Sequence, residues 1–124
     1  VNSHIHTPYS FSAFESLEEA FRRAHDEGVK VLGINDFFVT DGFPEFNRLA
    51  HQYNIYPLFN IEFVGLLKKE QQQGIRVNDP ANPGRTYFCG KGLDYPVSFS
   101  TPALKQLDKV IKESQQQIRE MLDK

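Results

Sequence analysis

Apolar positions along the chain alternate between two rhythms, and together they set out a β-α-β-α-β order. The opening segment, Val1–Thr7, is short, and its His4, Ile5 and His6 read as a strand. Ser16 and Glu19 then have capping-box spacing, in which each side chain satisfies a free backbone N–H at a helix start. Leu17, Ala20, Phe21 and Ala24 recur at helical spacing, and Gly28 stops that helix as a residue at ease in the left-handed conformation. Val29–Ile34 is a compact apolar run of strand length, with Asn35 and Asp36 following it. After a polar loop around Thr40, Asp41 and Gly42, Pro44 fits an early helix position, where its missing N–H costs nothing. Phe46, Leu49, Ala50 and Tyr53 form the stripe of this second helix, which ends near Asn54. Ile55–Val64 is a third strand, rich in aromatic and β-branched residues.

Near-continuous apolar strands separated by helices predict an α/β fold, with a parallel sheet and the helices packed outside it. Beyond the third strand, Leu66–Gln73 is helical or irregular, and the cluster Asn78–Gly84 is a turn whose prolines break any ladder. Thr86–Cys89 reads as a fourth strand, followed by a loop marked by Gly90, Gly92 and Pro96. Thr101–Lys124 reads as a long helix with Pro102 at its start. Its Leu104, Leu107, Ile111, Ser114, Ile118 and Met121 follow a heptad rhythm, which fits a helix packed on a sheet or a coiled-coil seam.

The 124 residues are enough for one core, and 40% hydrophobic with 24% charged residues is an ordinary globular balance. A net charge of -2 gives no basic footprint for nucleic acid or for anionic membranes. The single cysteine, Cys89, excludes an internal disulfide and fits a reducing compartment. No apolar run reaches the length of a membrane span, and no signal-peptide pattern opens the chain, so a cytoplasmic location is expected.

The sharpest chemical signal is His4-Ile5-His6. Residues two apart on a strand share a face, so both imidazoles can converge on one metal. The C-terminal ends of parallel strands are where ligands bind in such folds. Asp36 and Glu62 lie near equivalent ends of the next two strands. A carboxylate within an apolar strand is costly unless paired or bound to a cation, which makes Glu62 a candidate ligand beside the bland reading of a rim salt bridge. Two imidazoles and a carboxylate suit zinc, manganese or iron. Cys89 is a further candidate ligand, with a small buried hydrophobe as its alternative. Arg85 and Lys91 bracket the fourth strand and are candidates for holding a substrate phosphate, against a reading as ordinary rim charges. His25 and His51 fall inside helices, away from these strand ends.

These residues resemble the PHP (polymerase and histidinol phosphatase) family. Its first motif, H-x-H-T followed by a serine, is matched by His4, His6, Thr7 and Ser10. Its second, T-D-H, is represented by Asn35-Asp36-Phe37, and its third by Glu62. The resemblance runs over roughly residues 2–64 and implies a distorted (β/α) barrel that binds up to three divalent metals and hydrolyses phosphate esters. It implies that His4 and His6 hold one metal and that Glu62 bridges it to a second. Ser12 and Phe37 stand where ligands of the third metal belong, and no histidine follows Glu62. One or two divalent ions (zinc, manganese or iron) are therefore expected.

A complete barrel of this kind runs to about 250 residues. Residues 1–124 are accordingly expected to be the N-terminal part of such a domain, cut before the barrel closes and inactive alone. The expected function is metal-dependent hydrolysis of a phosphorylated small molecule or nucleotide, with Asp36 orienting a ligand or accepting a proton. The rival is a catalytically degenerate PHP-like module kept for binding or structural contacts. Open sheet edges and the last helix also make a homo-oligomer an expectation.

Overall fold

The computed structural model describes residues 1–122, with the side chains at 117, 118 and 120–122 outside that description. The chain divides into two compact units, Val1–Leu93 and Asp94–Lys124. The first holds β1 (Asn2–Ile5), α1 (Leu17–Asp26), β2 (Val31–Phe37), α2 (Phe43–Tyr53), β3 (Tyr56–Leu66), α3 (Lys68–Gln72) and β4 (Arg85–Gly90). The four strands form one sheet in chain order, α/β in class, curled as part of a barrel with its main helices outside.

β1, β2 and β3 are parallel, as the β-α-β-α-β pattern predicts, while β4 returns antiparallel to β3. The reason lies in the connection. A parallel return needs a crossover that packs on the sheet, whereas the β3–β4 link carries only the five-residue α3, which buries no residue. β2 also runs past the expected end at Ile34, so Asn35, Asp36 and Phe37 are strand residues paired to Asn60, Ile61 and Glu62. Hydrogen bonding to β3 lets this end of the strand carry polar residues that its sequence presents as a loop. β3 likewise continues to Leu66 through its pairing with β4, which leaves Glu62 in mid-strand.

Side chains alternate between two faces of the sheet. The outer face carries Leu32, Ile34, Phe59 and Ile61, all buried beneath α1 and α2 together with Phe21, Phe43, Phe46 and Leu49. Phe21 meets Phe46 edge to face with ring centroids 4.8 Å apart, and Phe43 meets Phe59 at 5.1 Å. α1 starts as expected, with the Ser16 hydroxyl accepting from the Glu19 N–H, while the Glu19 carboxylate reaches back to the N–H of Glu15. Gly28 takes positive φ after it, and Asn54 does so after α2.

The inner face is polar: Gly33, Asn35 and Phe37 of β2 lie beside Leu58, Asn60 and Glu62 of β3. Asn60 spans the sheet by donating to the Ser3 carbonyl of β1 and accepting from the N–H of Gly92 beyond β4. Gly33 makes this crossing possible, because a Cβ there would lie 2.5 Å from the Ser3 carbonyl oxygen and 2.9 Å from Asn60 Nδ2. Gly33→Ala is therefore expected to cost about 2 kcal/mol of stability by overpacking, measured as a lowered denaturation midpoint with unchanged m-value.

In the second unit, α4 (Thr101–Leu122) forms where the long helix is expected. Leu104 and Val110 are exposed and Leu107, Ile111 and Ser114 half-buried, so the described part of the apolar stripe is not core. Ile118 and Met121, the rest of the expected stripe, lie outside the described side chains. Among the described residues no helix is long and apolar enough to cross a membrane.

Candidate metal centre

His4, at the inner face of β1, and His6, just past its end, direct their Nε2 atoms at the same carboxylate oxygen. His4 Nε2 is 3.0 Å and His6 Nε2 3.3 Å from Glu62 Oε2, and the two nitrogens are 3.3 Å apart. Cys89 pairs with Glu62 across the β3–β4 ladder. Its Sγ, Glu62 and His4 present ligand atoms all within 4.8 Å of one another. Glu62 is buried, His6 and Cys89 are half-buried, and His4 is more open, so the cluster faces solvent from one side.

Asn35 is the member that sequence reasoning missed. Its side-chain nitrogen donates to Glu62 Oε2 at 2.8 Å and lies 3.2 Å from His4 Nε2 and 3.4 Å from Cys89 Sγ. The available signal was parity: Asn35 is two residues from Gly33 and from Phe37, hence on the inner face once β2 is known to continue.

Asp36, on the opposite parity, turns away from this cluster. Its Oδ1 accepts from the Thr7 N–H at 2.7 Å and from the Ser10 hydroxyl at 2.8 Å, and its Oδ2 accepts from the Thr7 hydroxyl. The Ser10 oxygen in turn accepts from the Phe37 N–H. Both Asp36 oxygens are thus engaged in fixing the segment that carries His6. Thr7 and Ser10, noted only as parts of a motif, are its hydrogen-bond donors.

The two candidate phosphate cations diverge. Lys91 Nζ lies 3.5 Å from the Ser3 carbonyl, next to His4 in β1. Arg85 pairs across from Leu66, four residues along β4 from Cys89 and so roughly 13 Å away. Its guanidinium lies 3.5 Å from the buried Asp79. Burial raises the Asp79 carboxyl, but the Ala81 and Asn82 N–H groups, the Asn82 amide and Arg85 together hold it below the usual carboxylate range. Arg85 is committed there to a turn rather than to the cluster. Phe37, in the place of the family's third histidine, stacks on His6 with ring centroids 4.7 Å apart and fixes that imidazole by its face.

The donor set fits a divalent cation. With Glu62 ionised, no choice of tautomer satisfies every contact. A proton on His4 Nε2 faces the Asn35 amide nitrogen, while a lone pair there faces that of the carboxylate. A cation removes the conflict by replacing the missing protons. Two buried atoms of these residues, His6 Nδ1 and Asn35 Oδ1, have no hydrogen-bond partner among the described residues. Imidazole, carboxylate and thiol are all donor types that can hold a metal ion.

A family model described as PHP domain matches residues 2–122. Three curated relatives, DNA polymerase III PolC-type from Listeria welshimeri, Listeria monocytogenes and Listeria innocua, are each 35% identical over 60 residues, 48% of this chain. The chain spans only 4% of the length of those relatives.

Proposed function

Because the chain belongs to the PHP domain family, we propose that its inner sheet face is the metal centre of a phosphoesterase that hydrolyses a phosphorylated small molecule or nucleotide. The observation that carries this reading is the meeting of His4 Nε2, His6 Nε2 and Glu62 Oε2 within 3.3 Å of one another. His4, His6 and Glu62 would hold the ion, with Cys89 as a further ligand. A divalent cation bound there supplies Lewis acidity, polarising a phosphoryl oxygen and making water a better nucleophile at neutral pH.

The chain's own residues supply position and charge. Asp36 anchors Thr7 and Ser10, and through them holds His6 against Glu62. Phe37 covers one face of the His6 ring and keeps water from it. Lys91, near β1, offers a positive charge to an incoming phosphate, whereas Arg85 is held by Asp79 in its turn. The four strands are read as one part of a barrel whose inner face they line, in a reducing cytoplasm where Cys89 stays a thiol.

The test is cation-dependent hydrolysis of p-nitrophenyl phosphate and of nucleotides by the whole gene product. Replacing His4 and His6 together by alanine is expected to abolish both bound metal and hydrolysis. Unchanged metal content in that double variant contradicts the reading. A second reading, a family member that binds without catalysis, is favoured by Phe37 standing against His6 where a ligand belongs. It predicts cation binding with no hydrolysis of any phosphoester tried.

A further inference from the structure

Asn35 occupies the middle of the donor set. One terminal nitrogen lies 2.8 Å from Glu62 Oε2, 3.2 Å from His4 Nε2 and 3.4 Å from Cys89 Sγ. Those three atoms belong to the residues that could share a cation. An NH2 group among three acceptors does electrostatically, and weakly, what a cation does there: it places positive partial charge between groups that otherwise repel. The same side chain is 0% exposed, and its Oδ1 has no partner among the described residues. The neighbouring Asn60 directs its own amide at the Ser3 carbonyl and the Gly92 N–H.

We propose that Asn35 is a two-position residue of this centre, whose NH2 holds His4, Glu62 and Cys89 together without a cation and whose Oδ1 turns onto a divalent cation bound among them. The proposal rests on the metal-centre reading above. Half a turn about the last side-chain torsion exchanges oxygen and nitrogen without changing the volume filled, and that torsion is soft. The turn takes the NH2 out of the cation's place and brings Oδ1 into it. A carboxamide suits both positions: it donates when the site holds no ion, and it adds an oxygen ligand without adding a second negative charge beside Glu62. An added oxygen donor also widens acceptance toward manganese, which the thiol of Cys89 alone disfavours.

The experiment compares wild type, Asn35→Ala, Asn35→Asp and His4→Ala in two readouts, cation-free melting temperature and calorimetric Mn2+ affinity. Asn35→Ala is expected to melt lower without cation and to bind Mn2+ on the order of tenfold more weakly. Asn35→Asp is expected to melt lower without cation, since two carboxylates then face each other, and to bind Mn2+ at least as tightly as wild type. If Asn35→Ala fails to fold, Asn35→Asp alone decides, because the inference requires its affinity to be kept. Asn35→Ala binding Mn2+ as tightly as wild type overturns the proposal, as does Asn35→Asp binding more weakly than wild type. His4→Ala separates the two levels: if it binds Mn2+ like wild type, the metal centre itself fails. If it loses Mn2+ while Asn35→Ala does not, only the role of Asn35 fails.

Discussion

Asp36→Ala is expected to destabilise the protein by about 3 kcal/mol, the largest stability effect of any single change in the site. The substitution strands three donors at once, the Thr7 N–H, the Thr7 hydroxyl and the Ser10 hydroxyl, around a position with 0% exposure. Hydrogen bonds to an ionised group are the stronger kind, and buried donors left unpaired pay their full desolvation. Asp36→Asn should recover more than half of that loss, because its carbonyl oxygen still accepts and the Thr7 hydroxyl can rotate to accept from the new NH2. Urea denaturation of the three proteins measures the series. Equal stability of Asp36→Ala and wild type would mean that the carboxylate does not fix the first loop.

Glu62→Gln is expected to produce the largest loss of cation binding, at least about a hundredfold in Mn2+ or Zn2+ affinity, or roughly 3 kcal/mol. The single oxygen Oε2 is approached by His4, His6 and Asn35 together, so the charge at that atom is what makes the donor set attractive to a cation. The amide keeps the volume and one acceptor oxygen. Cation-free stability should therefore change by less than about 1 kcal/mol, since a neutral group replaces a buried charge. Calorimetric titration beside thermal melting separates the two effects. A variant that keeps wild-type affinity removes Glu62 from the ligands.

The meeting of His4 and His6 with Glu62 was legible in the sequence because strand parity is a short-range rule and a carboxylate between Ile61 and Phe63 needs a reason to be there. The apolar stripes of α1 and α2 were legible for the same reason: Leu17, Ala20, Phe21 and Ala24 are buried as their spacing requires. What escaped depends on pairing between distant segments. Asn35 and Asp36 look like a polar loop after Ile34, and only the ladder with β3 makes them strand residues with opposite facings. That parity exchanged their roles: the amide enters the donor set and the acid becomes a loop anchor. The direction of β4 was hidden too, because strand periodicity is the same in parallel and antiparallel ladders. Arg85 stood open between a phosphate ligand and a rim charge because its place beside the fourth strand is visible in sequence, whereas its ion pair with Asp79 forms only when the turn closes.

The account stands on groups from β1, the turn after it and β3 gathering about one ion. The X-ray absorption spectrum of the zinc-loaded protein tests this most directly. Imidazole scattering with nitrogen and oxygen donors at about 2.0–2.1 Å, lost in Glu62→Gln, is the predicted result. A spectrum of hydrated zinc without imidazole scattering, or one identical in wild type and Glu62→Gln, contradicts it.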